Sequence, residues 1–152
     1  MTAVDKMGAG GYSSVMKSEK YAEIINKQKQ MDKEIIERTR RSLANKGVVL
    51  YQSVDIDRML MSRGAEALTF SDGTIVMHTK VSASGFYEEL IHYGQIKANR
   101  TIEDDKRNNL LLEIEAKERL IKYRQAYQIT DYEVEILTEV LKKYKIDLEA
   151  LG

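Results

Sequence analysis

The sequence predicts an α+β fold in which helices dominate and a small sheet of about three strands occupies the middle of the chain. Three observations carry this expectation. Apolar residues recur at helical spacing in the first and last thirds of the chain. An Asp72-Gly73 pair separates two β-rich runs in the middle, the signature of a hairpin. Thr130 and Glu133 form a Thr-x-x-Glu capping box at the head of the last apolar stripe. The chain has 152 residues, one domain's worth, of which 43% are hydrophobic. It is read as a flexible Gly-rich leader over 1–17 followed by a single domain over 18–152.

Each element has its own reason. Tyr21, Ile24, Ile25, Gln28, Ile35, Ile36 and Leu43 keep one stripe, so a single long helix is expected from Ser18 to Ala44, stopped at Gly47. Val48–Tyr51 is a short β-type run. Ser53 then caps a short helix over Val54–Arg63, with Ile56, Met59 and Leu60 inward and Gly64 as its stop. Glu66–Phe70 and Thr74–Lys80 form the hairpin strands around Ser71-Asp72-Gly73. Helices follow over Gly85–Ala98 and Ile102–Tyr127. The last helix starts at Thr130, with Ile129 and Val134 at the positions of a hydrophobic staple.

Composition removes several function classes. With no cysteine there is no disulfide framework, no thiolate-ligated metal and no cysteine nucleophile. With only His78 and His92, three histidines of one chain cannot share a metal. Nothing approaches a membrane-spanning apolar run or a secretory signal core, so a cytoplasmic protein without a membrane partner is expected. The 24 basic residues balance the 24 acidic ones, with ten against six in 1–50 and nine against twelve in 101–152. So mild a gradient leaves no basic footprint for nucleic acid. Gly8-Ala9-Gly10-Gly11 lacks the flanking strand and Lys-Ser/Thr of a phosphate loop.

The chemistry concentrates between 73 and 95. On the helix after the hairpin, Glu88 and His92 lie four residues apart with Gln95 three further on, so the three share a face. Glu89 sits about 100° round, at the edge of that face. Phe86, Leu90 and Ile91 take the opposite, core-facing side. A Glu–His pair at this spacing is also an ordinary surface pair of an amphipathic helix. Alternation along 74–80 puts Ile75, Met77 and Thr79 on one face and Thr74, Val76, His78 and Lys80 on the other. His78 is thereby either an additional ligand or a half-exposed strand residue. Tyr87, Tyr93, Tyr123 and Tyr127 could line a cleft, with Tyr93 donating to a polarised substrate oxygen, or serve as ordinary amphipathic packing.

Glu88-Glu89-Leu90-Ile91-His92 resembles the zincin metallopeptidase motif His-Glu-Leu-Ile-His with glutamate in place of the first histidine. The surroundings are similar too. Small zincins set an exposed edge strand before the active-site helix, as Thr74–Lys80 would be, and a later helix supplies a glutamate ligand, as Glu113-Ile-Glu115-Ala116 would. The resemblance spans roughly 66–120. More narrowly, it is to toxin-type zincin-like domains of bacterial polymorphic toxins and phage head-morphogenesis proteins.

The resemblance implies His92 and Glu88 as metal ligands and Glu89 as the general base. Zn²⁺ or another divalent metal is the implied cofactor, since a carboxylate in place of imidazole also suits harder ions. Glu113 is preferred to Glu115 as the third ligand. It shares an inward stripe with Leu110, Ala116 and Leu120, whereas Glu115 has Glu118 and Arg119 beside it.

Two functions follow as expectations. One is a metal-dependent hydrolase acting on a protein or peptide substrate; the family setting implies an effector delivered into a target bacterial cytoplasm, with an immunity protein as partner. The other is a metal-free binding module of phage or toxin-system origin that captures a protein strand along Thr74–Lys80 by β-augmentation. A structural assembly role for the first helix is a third, but its stripe is not a clean heptad.

Overall fold

The computed structural model describes residues 18–152, with side chains from Tyr21 onward; the leader expected over 1–17 lies outside the described residues. The elements run α1 (Ser18–Lys27), α2 (Lys33–Ala44), β1 (Leu50–Tyr51), α3 (Val54–Ser62), β2 (Ala67–Thr69), β3 (Ile75–Met77), α4 (Ala83–Lys97), α5 (Lys106–Lys122) and α6 (Asp131–Ala150). This is the helix-dominated α+β fold with a three-stranded sheet that the sequence predicts.

The expected helix over Ser18–Ala44 is two helices. The chain between them leaves helical geometry to meet the loop before α4. Gln30 bridges Ser82, and the Met31 N–H donates to the Val81 carbonyl at 2.8 Å. Asp32 then restarts the helix as N-cap, its carboxylate accepting from Glu34 N at 2.8 Å.

The sheet order is β1-β3-β2, with β1 parallel and β2 antiparallel to β3. The segment expected as an exposed edge, 74–80, therefore supplies the middle strand, which is paired on both sides. It offers no edge for a captured strand to join, which removes β-augmentation along Thr74–Lys80. The hairpin itself is as expected. Phe70 N–H donates to the Thr74 carbonyl, and Gly73 closes the loop at φ +93°, a conformation that glycine takes without strain.

Alternation along β3 divides the interior. Ile75 and Met77 face the main core with Ile36, Leu43, Phe86, Leu120 and Leu137, while Val76 turns to a second cluster with Leu60, Ala65 and Leu68 under α3. Ser53 and Gly64 bound α3 as expected.

The start of α4 is tied down twice. Glu66 Oε1 accepts from Ser82 N and Ser82 Oγ, both at 2.8 Å. Glu133 Oε1 accepts from Ser84 Oγ at 2.9 Å, while its Oε2 completes the expected capping box with Thr130. A Cβ at 85 would stand 2.4 Å from the Glu66 carboxyl carbon, so a side chain there must displace a carboxylate that Ser82 holds. Among the described residues, no helix is long and apolar enough to cross a membrane.

Candidate functional site

Helix α4 is buried through its polar face. Glu88, Glu89, His92 and Gln95 are all buried, as is Phe86, while Tyr87, Leu90 and Ile91 are only partly covered. The expectation that Leu90 and Ile91 are the core-facing side is thus half right at most. They pack at the margin of the main core and line an outer cleft of about 460 Å³ with Tyr87, Tyr127 and Arg119. The physical reason is α5. It packs along α4 and turns Glu113 and Lys117, both buried, toward the Glu88/His92 face, so that polar groups meet polar groups.

Glu88, His92 and Glu113 come together, with one potential ligand atom from each lying within 4.8 Å of the others. His92 Nε2 is 2.9 Å from Glu113 Oε1 and 3.8 Å from Glu88 Oε1. Despite these contacts, this fully buried nitrogen makes no hydrogen bond of acceptable geometry. The other ring nitrogen is held firmly. His92 Nδ1 lies 2.8 Å from Gln95 Oε1, and the Gln95 amide nitrogen donates to the Leu112 carbonyl at 3.1 Å. With the amide so oriented, Gln95 Oε1 accepts and Nδ1 carries a proton.

Lys117 completes the cluster and was not found from sequence. Its Nζ lies 2.5 Å from Glu88 Oε1 and 3.5 Å from Glu113 Oε1. It also stands over the Tyr144 ring, 5.1 Å from the centroid, and the Tyr144 hydroxyl donates to Glu113 Oε2 at 3.3 Å. A signal for Lys117 does exist. Leu110, Glu113, Lys117 and Leu120 form one stripe, so the lysine shares the inward face already assigned to Glu113. Thr69 of β2 was also missed; its hydroxyl donates to Glu89 Oε1 at 2.8 Å.

Burial and charge pull each group in a definite direction. Burial alone would raise the Glu88 carboxyl, but Lys117 and His92 outweigh it and hold Glu88 down at about 2. Glu89 is pushed up to about 7, chiefly by burial, with the neighbouring carboxylates adding to it and His92 opposing. Burial disfavours the charged forms of His92 and Lys117. The facing carboxylates, Glu113 first, nevertheless raise both well above their ordinary values.

The remaining candidates lie elsewhere. Glu115 is paired with Arg100 near the surface, outside the cluster. Tyr93 turns its ring toward Gly73, where a Cβ would be 3.5 Å from it, and its buried hydroxyl bonds none of the cluster's groups. His78 is buried rather than half-exposed, at 8% exposure, and is not among the residues that gather around His92. It accepts from Lys80 N and faces Asp57 and Tyr21. Burial lowers its pKa, although Asp57 opposes this. Tyr87 and Tyr127 do line a cleft, stacked with centroids 4.4 Å apart.

Comparison with known proteins finds no matching family model, no matching curated protein and no matching solved structure.

Proposed function

We propose that the domain is a metal-dependent hydrolase of peptidase type, acting on a protein or peptide substrate, in which Glu88, His92 and Glu113 hold a divalent ion. The observation that carries this is the His92 ring. One nitrogen is locked by Gln95 while the other, buried and without an aligned hydrogen bond, faces two carboxylates at 2.9 and 3.8 Å. A buried polar atom without a well-made hydrogen bond is costly, and an amide fixing the opposite nitrogen is the arrangement that prepares a histidine to ligate. The donor set of two carboxylates and one imidazole suits Zn²⁺ as well as harder divalent ions. Such an ion, when bound, supplies a Lewis acid that polarises a substrate oxygen and eases deprotonation of water.

The chain's own residues supply the rest. Glu89 is the proton acceptor, and its pKa of about 7 suits a general base at neutral pH. Thr69 fixes one of its oxygens, so the proton goes to the other. Calorimetric titration of the chelator-treated chain with Zn²⁺ and Mn²⁺ tests the reading. One ion per chain, lost in His92→Ala, supports it; no binding at millimolar metal overturns it. Hydrolysis of casein by the loaded chain should fall ~10²–10⁴-fold in Glu89→Gln while metal uptake persists.

One observation favours a second reading, a metal-free protein-binding module. Lys117 already brings a positive charge to Glu88 and Glu113. Because β3 is central, such a module would have to use a surface other than Thr74–Lys80.

A further inference from the structure

Lys117 is the one member of the cluster to which the hydrolytic reading gives no work. It is 1% exposed, on a helix whose other lysines have ready access to water at its ends. Burying an ammonium is expensive unless it is paired, and here it is paired with the two carboxylates of the candidate metal site. The atoms involved are informative. Glu88 turns its Oε1 to both Lys117 Nζ and His92 Nε2, and Glu113 likewise turns its Oε1 to both. The oxygens that a cation would share with His92 are therefore the same oxygens that the ammonium holds.

We infer that Lys117 is a resident placeholder for the metal. Its ammonium keeps the Glu88 and Glu113 carboxylates together when no metal is bound, and it must withdraw from their Oε1 atoms when a divalent cation takes them. The inference rests on the metal reading above and adds a residue that sets the threshold for metal entry. Two cations cannot share one carboxylate oxygen at contact distance without strong repulsion. The route of withdrawal is short. The Lys117 stem is flexible, and its head already leans over the Tyr144 ring, which can accept an ammonium on its face.

The placeholder has two consequences. Without metal, Lys117 supports the fold; with metal, it opposes binding. Lys117→Met keeps the length of the stem and removes the charge. In the metal-free state the variant should melt roughly 10 °C below the wild type, because two buried carboxylates lose their cation. Its Zn²⁺ affinity by calorimetry should rise at least tenfold, and saturating Zn²⁺ should recover most of the lost melting temperature.

The unsubstituted chain gives an independent reading should the variant fail to fold. Acylation of Lys117 by an amine-reactive ester, followed by peptide mass spectrometry, should be slow in the metal-free protein and several-fold faster with saturating Zn²⁺. Exposed Lys142 should react equally in both conditions. Tighter Zn²⁺ binding by Lys117→Met, or metal-induced acylation of Lys117, supports the inference. If the wild type binds Zn²⁺ while the variant binds no more tightly and Lys117 stays protected, the placeholder is wrong and the metal site stands. If neither form binds Zn²⁺, both are wrong.

Discussion

At the first turn of α4 the buried carboxylates of Glu66 and Glu133 are met by neutral donors, the Ser82 and Ser84 hydroxyls and nearby backbone N–H groups. One turn further along, Glu88 and Glu113 meet Lys117 and His92, and Glu89 meets the Thr69 hydroxyl. Both clusters are buried, and both join α4 to neighbouring elements. The first is a joint. Its carboxylate oxygens accept from donors that ordinary folding brings there, and the fit is tight enough that a methyl group at 85 must displace the Glu66 carboxylate. The second gathers charge on charge and leaves one ring nitrogen without a well-made hydrogen bond. A carboxylate buried for architecture is bonded out, whereas one buried for chemistry keeps neighbours that can be exchanged.

The sharpest way to break the charged cluster is Glu113→Ala. It takes partners from His92, Lys117 and Tyr144 at once. Removing one side of a buried ion pair costs about 3–5 kcal/mol, so urea unfolding should show a loss of that size together with the loss of metal uptake. A change within ±0.5 kcal/mol would mean that these groups reach water in solution.

The joint should respond to volume instead of charge. Gly85→Ala drives a Cβ into a Glu66 carboxylate that Ser82 holds in place, for an expected cost of about 1–3 kcal/mol and no change in metal uptake. Impaired metal binding at unchanged stability would show that the two clusters act as one unit.

Acidity separates them further. Glu89 has a native pKa of about 7, above its ordinary value of 4.5. The native state therefore holds more protons than the unfolded chain between those values, and stability falls as pH rises through that window. The contribution is full below pH 4.5 and gone above 7. Glu89→Gln removes the term, so its stability relative to the wild type should improve by on the order of 1–3 kcal/mol from pH 5 to pH 8. Parallel curves for the two proteins would place the ionisation elsewhere. The smallest effect belongs to the joint's periphery. Thr130→Ala deletes half of a capping box and should cost about 1 kcal/mol in urea unfolding, with the Zn²⁺ titration unchanged.

Local rules carried the joint and its helices well. Ser53, Gly64, the Asp72-Gly73 hairpin and the Thr130–Glu133 box lie where composition and spacing put them. The meeting of Glu88, His92 and Glu113 was implied by the zincin resemblance, and helical spacing chose the residues: i,i+4 for Glu88 and His92, an inward stripe for Glu113 over Glu115.

Three features were not legible, for distinct reasons. The break before α2 hides from periodicity because Ile24/Ile25 and Ile35/Ile36 are eleven residues apart, just over three turns, and the stripe stays in phase across the gap. The central position of β3 depends on β1 returning parallel to it, a tertiary choice that neither strand encodes alone. Lys117 was passed over because a Glu–Lys pair at i,i+4 is ordinarily a solvated one; only the burial of Leu110 and Leu120 on the same stripe separates it from that class.

Strand β1 carries a consequence for the chain in crowded surroundings. It stands at the rim of the sheet with Val49 and Tyr51 about half exposed, the kind of segment that recruits a second copy into a growing ribbon. The Leu50 carbonyl, which alternation turns away from β3, accepts instead from Arg40 Nε at 3.1 Å, and the same guanidinium reaches Gln52 Oε1 at 2.7 Å. A charged side chain from α2 thus occupies the position where a neighbouring molecule's backbone would dock. The rim is plugged from within, and on the β1 side the sheet offers no free carbonyl at Leu50 for a fourth strand to pair with.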